Sequence, residues 1–345
     1  MDYKNLIKEL IAEVVKENAS DLHLSKDRHP IIRVHGSLYA LEAMPVLSAD
    51  DILNIVTELL TPEYKKLFLE KKEIDFSYDA FEARFRGSCF FSQRAIGVSL
   101  RLIPKKIKTL EELNLPPILK TFTQKQQGFF LVVGPMGHGK STTLSSMIEM
   151  INQDRAEHIV TVEDPIEYIF QKGKSIIDQR EIKIDTNDFP TALHSAFRQD
   201  ADVLMIGEMR GLETISTSVT AAETGHLVFS TLHTNNAAQT IDRIIDVFSP
   251  QQQNQIRIQI AGSLLGIFSQ RLIPRVSGGL IPAYELLINN NAVANLIRER
   301  RSYEIQNVIE TSSKQGMVSL NKSLEELVRL GEITLDNAQK YSTYK

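Results

Sequence analysis

Gly134-Pro135-Met136-Gly137-His138-Gly139-Lys140-Ser141 fits the pattern G-x-x-x-x-G-K-[ST]. An apolar run, Phe129 to Val133, precedes it. An amphipathic stretch follows, with Leu144, Met147, Ile148 and Ile151 at helical spacing. Strand, glycine loop and helix is the context in which such a loop cradles phosphate. The glycines let backbone N–H groups close around phosphate oxygens, and the helix N-terminus adds partial positive charge. Lys140 then reaches the β/γ-phosphates, and the Ser141 hydroxyl ligates Mg2+. The expected ligand is ATP with Mg2+.

The rest of this half of the chain supplies a sheet for the loop. Phe129 to Val133, His158 to Val162, Val203 to Ile206 and Leu227 to Leu232 are continuous apolar runs separated by helical stretches. Such runs predict a mostly parallel sheet covered on both faces, with the phosphate loop at its carboxyl edge. From Gln251 onward the pattern reads as mostly helical. The first part of the chain differs. Residues 4 to 18 form an amphipathic helix, and short runs at Asp21 to Leu24, Ile31 to His35 and Ser37 to Leu41 predict strands. Ser48-Ala49-Asp50-Asp51 opens a helix through Leu60, and Thr61-Pro62-Glu63 opens another. Ile74 to Tyr78, Glu82 to Phe91 and Gly97 to Ile103 read as further strands. The expected organisation is a small α+β domain at 1–104, a Lys-rich linker at 105–127 with one short helix around Leu110 to Leu113, and a nucleotide-binding α/β domain at 128–345.

Composition narrows the class. At 345 residues the chain is long enough for two cores. A net charge of −4 gives no global attraction to nucleic acid, and neither a basic groove nor a helix-turn-helix signal is present, which disfavours a DNA translocase. Cys89 is the one cysteine, so disulfide frameworks and cysteine-built zinc sites are excluded. The opening helix carries Lys8, Glu9, Glu13, Lys16 and Glu17, unlike a signal peptide, and no apolar run approaches the length of a membrane span. The expected location is cytoplasmic, with any membrane link made through a partner.

The other expected strands also end in polar residues at the phosphate edge. One ends Thr161-Val162-Glu163-Asp164-Pro165-Ile166-Glu167, and another ends Ile206-Gly207-Glu208-Met209-Arg210, four apolar residues running into an acid. Such an acid orients attacking water or holds Mg2+ through water. The last is bracketed by His226 and His233 and followed by Thr234 and Asn235.

These blocks, with Ala19-Ser20-Asp21-Leu22-His23-Leu24, Glu73-Ile74-Asp75-Phe76-Ser77-Tyr78 and Thr240 to Phe248, resemble the secretion-superfamily ATPases. The similarity is strongest to the twitching-motility, or type IV pilus retraction, branch, and it covers nearly the whole chain. It implies a PAS-like N-terminal domain, a RecA-like motor domain and a homohexamer with ATP between subunits. It implies that Arg84, Arg86, Arg94 and Arg101 approach a neighbour's phosphates, with the linker as the hinge. Gly134 to Ser141 and Thr142 would then hold nucleotide. Glu208 and Glu163 would serve water and metal, and His226 and His233 would relay nucleotide state. The implied partners are an inner-membrane pilus platform protein and, indirectly, pilin, with peripheral association at the inner membrane.

Two departures from the family pattern stand out. Met136 and His138 replace a Thr and a small polar residue, and Ala294 replaces the first arginine in Ala292 to Glu299, which resembles the retraction motif. A pilus assembly or secretion ATPase is the alternative task. Those relatives usually carry an extra N-terminal domain and a four-cysteine segment, whereas this chain starts almost at the PAS-like domain. A nucleotide-gated accessory protein with little turnover is the alternative class.

Overall fold

The computed structural model describes residues 2–34, 36–80, 83–103 and 106–342. The expected strand ends at His35 and Glu82, the boundary at 104–105 and the chain end at 345 lie outside these residues. Two compact units form: Met1–Lys106 with Pro165–Ile169, and Ile107–Asp164 with Phe170–Lys345.

In the first unit the order is α1 (Tyr3–Lys16), β1 (Asp21–Leu24), β2 (Ile31–Val34), β3 (Ser37–Ala40), α2 (Ala49–Leu59), α3 (Pro62–Lys71), β4 (Glu73–Ala80), β5 (Ala83–Ser92) and β6 (Ala95–Ile103). The strands make one antiparallel sheet ordered β3-β2-β1-β6-β5-β4. Each helix start has a capping side chain: Asp2 for α1, Ser48 with Asp51 as a capping box for α2, and Thr61 ahead of Pro62 for α3. Leu6, Leu10, Ile11 and Val14 of α1 and Ile52, Ile55 and Val56 of α2 bury one sheet face with Leu22, Phe85, Cys89 and Leu100. Burial pushes the Cys89 thiol up to about 12, so it is inert core. Strand alternation leaves Arg84, Arg86 and Ser88 on the opposite, partly exposed face.

The second unit contains α4 (Lys120–Thr123), β7 (Gly128–Val133), α5 (Lys140–Asp154), β8 (His158–Glu163), β9 (Ile176–Glu181), α6 (Phe189–Ala196), β10 (Val203–Ile206), α7 (Leu212–Glu223), β11 (Leu227–Leu232), α8 (Ala237–Asp246), α9 (Gln253–Ser263), β12 (Leu264–Pro274), β13 (Leu280–Ile288), α10 (Asn291–Arg298), α11 (Ile305–Thr311), α12 (Leu320–Arg329) and α13 (Leu335–Tyr341). Among the described residues the sheet is ordered β13-β12-β7-β11-β10-β8-β9, parallel except for the β12–β13 pair. β7 is buried throughout, and its alternation feeds two cores. Phe129, Leu131 and Val133 join the core of α6 to α11, while Phe130 and Val132 join that of α5.

The region after Gln251 is mostly helical, as expected, and also carries β12 and β13, which extend the sheet. Two expectations need correction. Residues 107–127 are not a free linker. Leu110, Leu115, Leu119 and Phe122 are buried in the same core as Phe130, and the Phe122 and Phe130 rings lie 4.3 Å apart. Four large apolar side chains in one short segment favour burial over a solvated tether. The helix expected at Leu110 to Leu113 is a turn. The side chains of Thr109 and Glu112 close it by each accepting the other's backbone N–H, Asn114 leaves it at φ 55°, and the helix comes later as α4.

Candidate active site

Parallel register brings the carboxyl ends of four strands to one edge. Leu232 pairs with Val133, Ile206 with Ser230, and Val162 with Ile206. Beyond β7 the chain turns through Gly134, Gly137 and Gly139, all at positive φ (145°, 77° and 80°), and enters α5. A Cβ at Gly134 would collide with the Gln270 carbonyl oxygen, so only glycine fits there. Gly137 faces open space and needs glycine for its backbone angle. The first turn of α5 has no side-chain cap, so its N–H groups suit a phosphate.

Lys140 is 7% exposed. Its ammonium donates to the carbonyls of Gly134 at 3.0 Å and Pro135 at 2.9 Å, and to His233 Nδ1 at 3.3 Å. An accepting Nδ1 places the imidazole proton on Nε2, which lies 3.3 Å from Glu208 Oε2 and donates to it. Burial, Lys140 and Arg210 hold the His233 pKa below its ordinary value, so the ring is neutral at pH 7. A continuous path therefore runs from the loop lysine through a neutral imidazole to a carboxylate, which Arg210 also pairs.

Glu163, 6% exposed, ends β8 beside Gly207, whose N–H bonds the Val162 carbonyl at 2.8 Å. A Cβ at Gly207 would lie 3.3 Å from that carbonyl oxygen, so the glycine lets the two acid-bearing strand ends draw together. Thr161 donates to Glu163 at 2.7 Å. Ser141 is exposed and Thr142 half-buried in the first turn of α5, and Met136 is fully solvated. Among the described residues no group of three His, Cys, Asp or Glu is arranged to hold a metal alone. A hydroxyl from Ser141, with Glu163 and Glu208 nearby on the same edge, is a hard-oxygen set that fits Mg2+ shared with phosphates.

The His138 side chain makes its contact within the chain. Its Nδ1 accepts the Leu272 N–H at 2.9 Å, and its carbonyl accepts Gln270 Nε2 at 2.9 Å, so the ring braces the loop against β12. Burial, Arg271 and Lys140 lower its pKa.

His226 is not with the others. It precedes β11, at the opposite end of the strand from His233, roughly 20 Å away at 3.3 Å per residue. Its Nδ1 bonds the Ala221 carbonyl at 3.1 Å and its ring meets Phe197 edge-on, so within this chain it closes the end of α7.

Arg84, Arg86 and Arg101 share one face of the first unit's sheet, with Arg86 directly opposite Arg101. Arg84 pairs with Asp79 and donates to the Ile166 carbonyl at 3.3 Å. Arg86 meets Glu167 at 3.2 Å, and Arg101 meets Asp21 at 2.9 Å. Arg94 is apart from them, at φ 66° in the β5–β6 turn, past the end of β5 and roughly 20 Å from Arg86. Ala294 is buried on α10 within the core, and the arginines after that helix have local partners: Arg301 with Glu299 and Glu304, Arg300 with Asn254.

Gln270 is the site residue that the sequence pattern did not single out. A polar pair, Ser269-Gln270, inside an apolar run was the available signal.

The type II/IV secretion system protein model matches residues 2–340. The chain belongs to this family. It is 42% identical over 335 residues to the type IV pilus retraction ATPase PilT of Pseudomonas aeruginosa, covering 97% of each protein. It is 43% identical over 313 residues to a twitching motility protein of Neisseria gonorrhoeae, covering 90% of this chain and 83% of that one. A crystal structure of the pilus retraction motor PilT with bound ADP superposes with a TM-score of 0.91 at 41% identity, covering 97% of this chain and 96% of that one. Among the described residues of this family member, no helix is long and apolar enough to cross a membrane.

Proposed function

We propose that this chain is an ATPase, the ATP-hydrolysing subunit of a type IV pilus retraction motor. The carrying observation is the Lys140–His233–Glu208 path at the mouth of a phosphate loop, in a chain this similar to retraction ATPases. The loop amides from Gly137 to Lys140 hold the phosphates, and the Lys140 ammonium, released from the Gly134 and Pro135 carbonyls, neutralises charge on the transferring group. Glu208 accepts the proton of the attacking water while neutral His233 keeps it oriented. Glu163 supports the water or the cation from the adjoining strand end. Ser141 would hold Mg2+, which supplies further charge neutralisation, and Thr142 lies toward the α-phosphate.

The subunits work as a homohexamer, with the arginine face of one PAS-like domain (Arg84, Arg86, Arg101) serving a neighbour's nucleotide. Closure of that face is the mechanical step. The motor works on the cytoplasmic side of the inner membrane, through a platform protein, and draws pilin from the fibre.

Phosphate release by the full chain, with Glu208→Gln as control, tests the chemistry. Surface pili test the task. A deletion strain with excess pili supports retraction, and one without pili supports assembly instead.

A further inference from the structure

Ser269, Gln270 and Arg271 interrupt the apolar run of β12. Consecutive strand residues point to opposite faces, so Ser269 and Gln270 reach different neighbours. Gln270, 3% exposed, faces α5. Its Oε1 accepts the Thr143 hydroxyl at 2.7 Å, and its Nε2 donates to the His138 carbonyl at 2.9 Å. A phosphate loop directs its N–H groups inward, so its carbonyls need partners outside, and Gln270 is such a partner. Ser269, also 3% exposed, faces α8. Its hydroxyl donates to the Asn235 carbonyl at 2.8 Å, two residues beyond His233. Glu285, opposite Ser269 on β13, accepts the Ala237 N–H at 2.8 Å and closes the same turn from the other side.

We propose that Ser269 and Gln270 are a pair of positioning residues for ATP hydrolysis: they set the phosphate loop and the His233 turn in register from one rigid strand. Neither belongs to the phosphate-loop pattern or to the Lys140–His233–Glu208 path. The two loops have no covalent reason to stay aligned, and displacements of an ångström at such a site cost up to about a hundredfold in rate. The pair removes that freedom because one backbone unit carries both contacts. Gln270 acts on nucleotide binding and Ser269 acts on the carboxylate path, so their losses separate kinetically. The proposal rests on the ATPase reading above.

The test is steady-state phosphate release by the full chain with Mg-ATP, alongside melting temperatures without nucleotide. Gln270→Met keeps the length and loses both hydrogen bonds. It should raise KM at least about tenfold while kcat stays within about threefold, the size of two lost buried hydrogen bonds toward the low end of their range. Ser269→Ala should lower kcat about tenfold with KM within about threefold, and Ser269→Thr, which keeps the hydroxyl, should restore it. Thr143→Val, which removes a partner of Gln270, should shift KM in the same direction and takes over the test if Gln270→Met does not fold.

Wild-type turnover with both constants unchanged in these variants overturns the proposal alone. So does a fall in rate that tracks lost folded protein with no split between KM and kcat. A wild type that releases no phosphate overturns the ATPase reading and this proposal with it.

Discussion

His233 donates its Nε2–H to the Glu208 carboxylate at 3.3 Å. The ring makes both contacts only when neutral, because Nδ1 must be unprotonated to accept from the Lys140 ammonium while Nε2 keeps its proton for Glu208. His233→Ala removes both links at once. Turnover should fall by about 10- to 100-fold with a smaller change in nucleotide affinity, measured by phosphate release and by titration with a fluorescent ATP analogue.

The same geometry fixes a pH dependence. Burial, Lys140 and Arg210 depress the His233 pKa from 6.5, so the ring gains its proton only in more acid solution. Turnover should be flat near pH 7 and fall on an acid limb below 6.5 as the imidazolium stops accepting from Lys140. Arg210→Gln removes one of the depressing charges, and the limb should move up toward 6.5. A pH–rate profile of both proteins checks this, and a limb moving down would contradict it.

The two acids should separate. Glu208 sits on the imidazole path, whereas Glu163 is held by Thr161 and by Gln179 at 3.3 Å. Glu208→Gln should cost at least about a hundredfold in turnover while leaving ATP bound. Glu163→Gln keeps an oxygen acceptor for both partners and should cost less. Single-turnover hydrolysis of bound ATP distinguishes them.

Gly134→Ala tests the close approach of the loop to β12. The new Cβ meets the Gln270 carbonyl oxygen on a backbone with φ of 145°. Destabilisation of about 3 kcal/mol is expected, read from chemical denaturation.

Glu285 gives a prediction of opposite sign. Its carboxyl is 2% exposed, and burial raises its pKa above the ordinary value despite the Ala237 N–H. A carboxyl that binds its proton more tightly when folded stabilises the fold in acid and loses that contribution as pH rises through its folded pKa. Glu285→Gln keeps an acceptor for Ala237 without the buried charge. Its melting temperature should exceed that of the wild type at pH 8, and the difference should vanish toward pH 4.5. Glu285→Leu should melt lower at both.

Local signals in the sequence located most of this. The glycine loop, the acids after β8 and β10, and the caps at Ser48 and Thr61 are short-range patterns whose physics is complete within a few residues. What escaped the sequence depends on contacts between distant segments. β12 begins directly where α9 ends; Gly262 and Gly266 flank the junction but no proline or polar turn cluster breaks it, so the apolar run there reads as more helix. Leu110, Leu115 and Phe122 look like linker residues until Phe130 is beside them. His226 and His233 bracket the same strand in sequence, yet strand length puts them at opposite sheet edges. The bracing contact of the His138 ring is equally hidden, because its partner, the Leu272 N–H, is a backbone group that leaves no trace in a motif.

The strand that braces the phosphate loop is made long after the loop itself. Gln270 follows His138 by 132 residues, a synthesis interval of about 7 to 26 s at roughly 5–20 residues per second. During that interval the nascent loop has neither its outer hydrogen-bond partners nor its backing strand. Nucleotide capture is thereby deferred until the motor unit is nearly whole, and a truncated chain ending before β12 would retain the complete motif without the means to hold its shape.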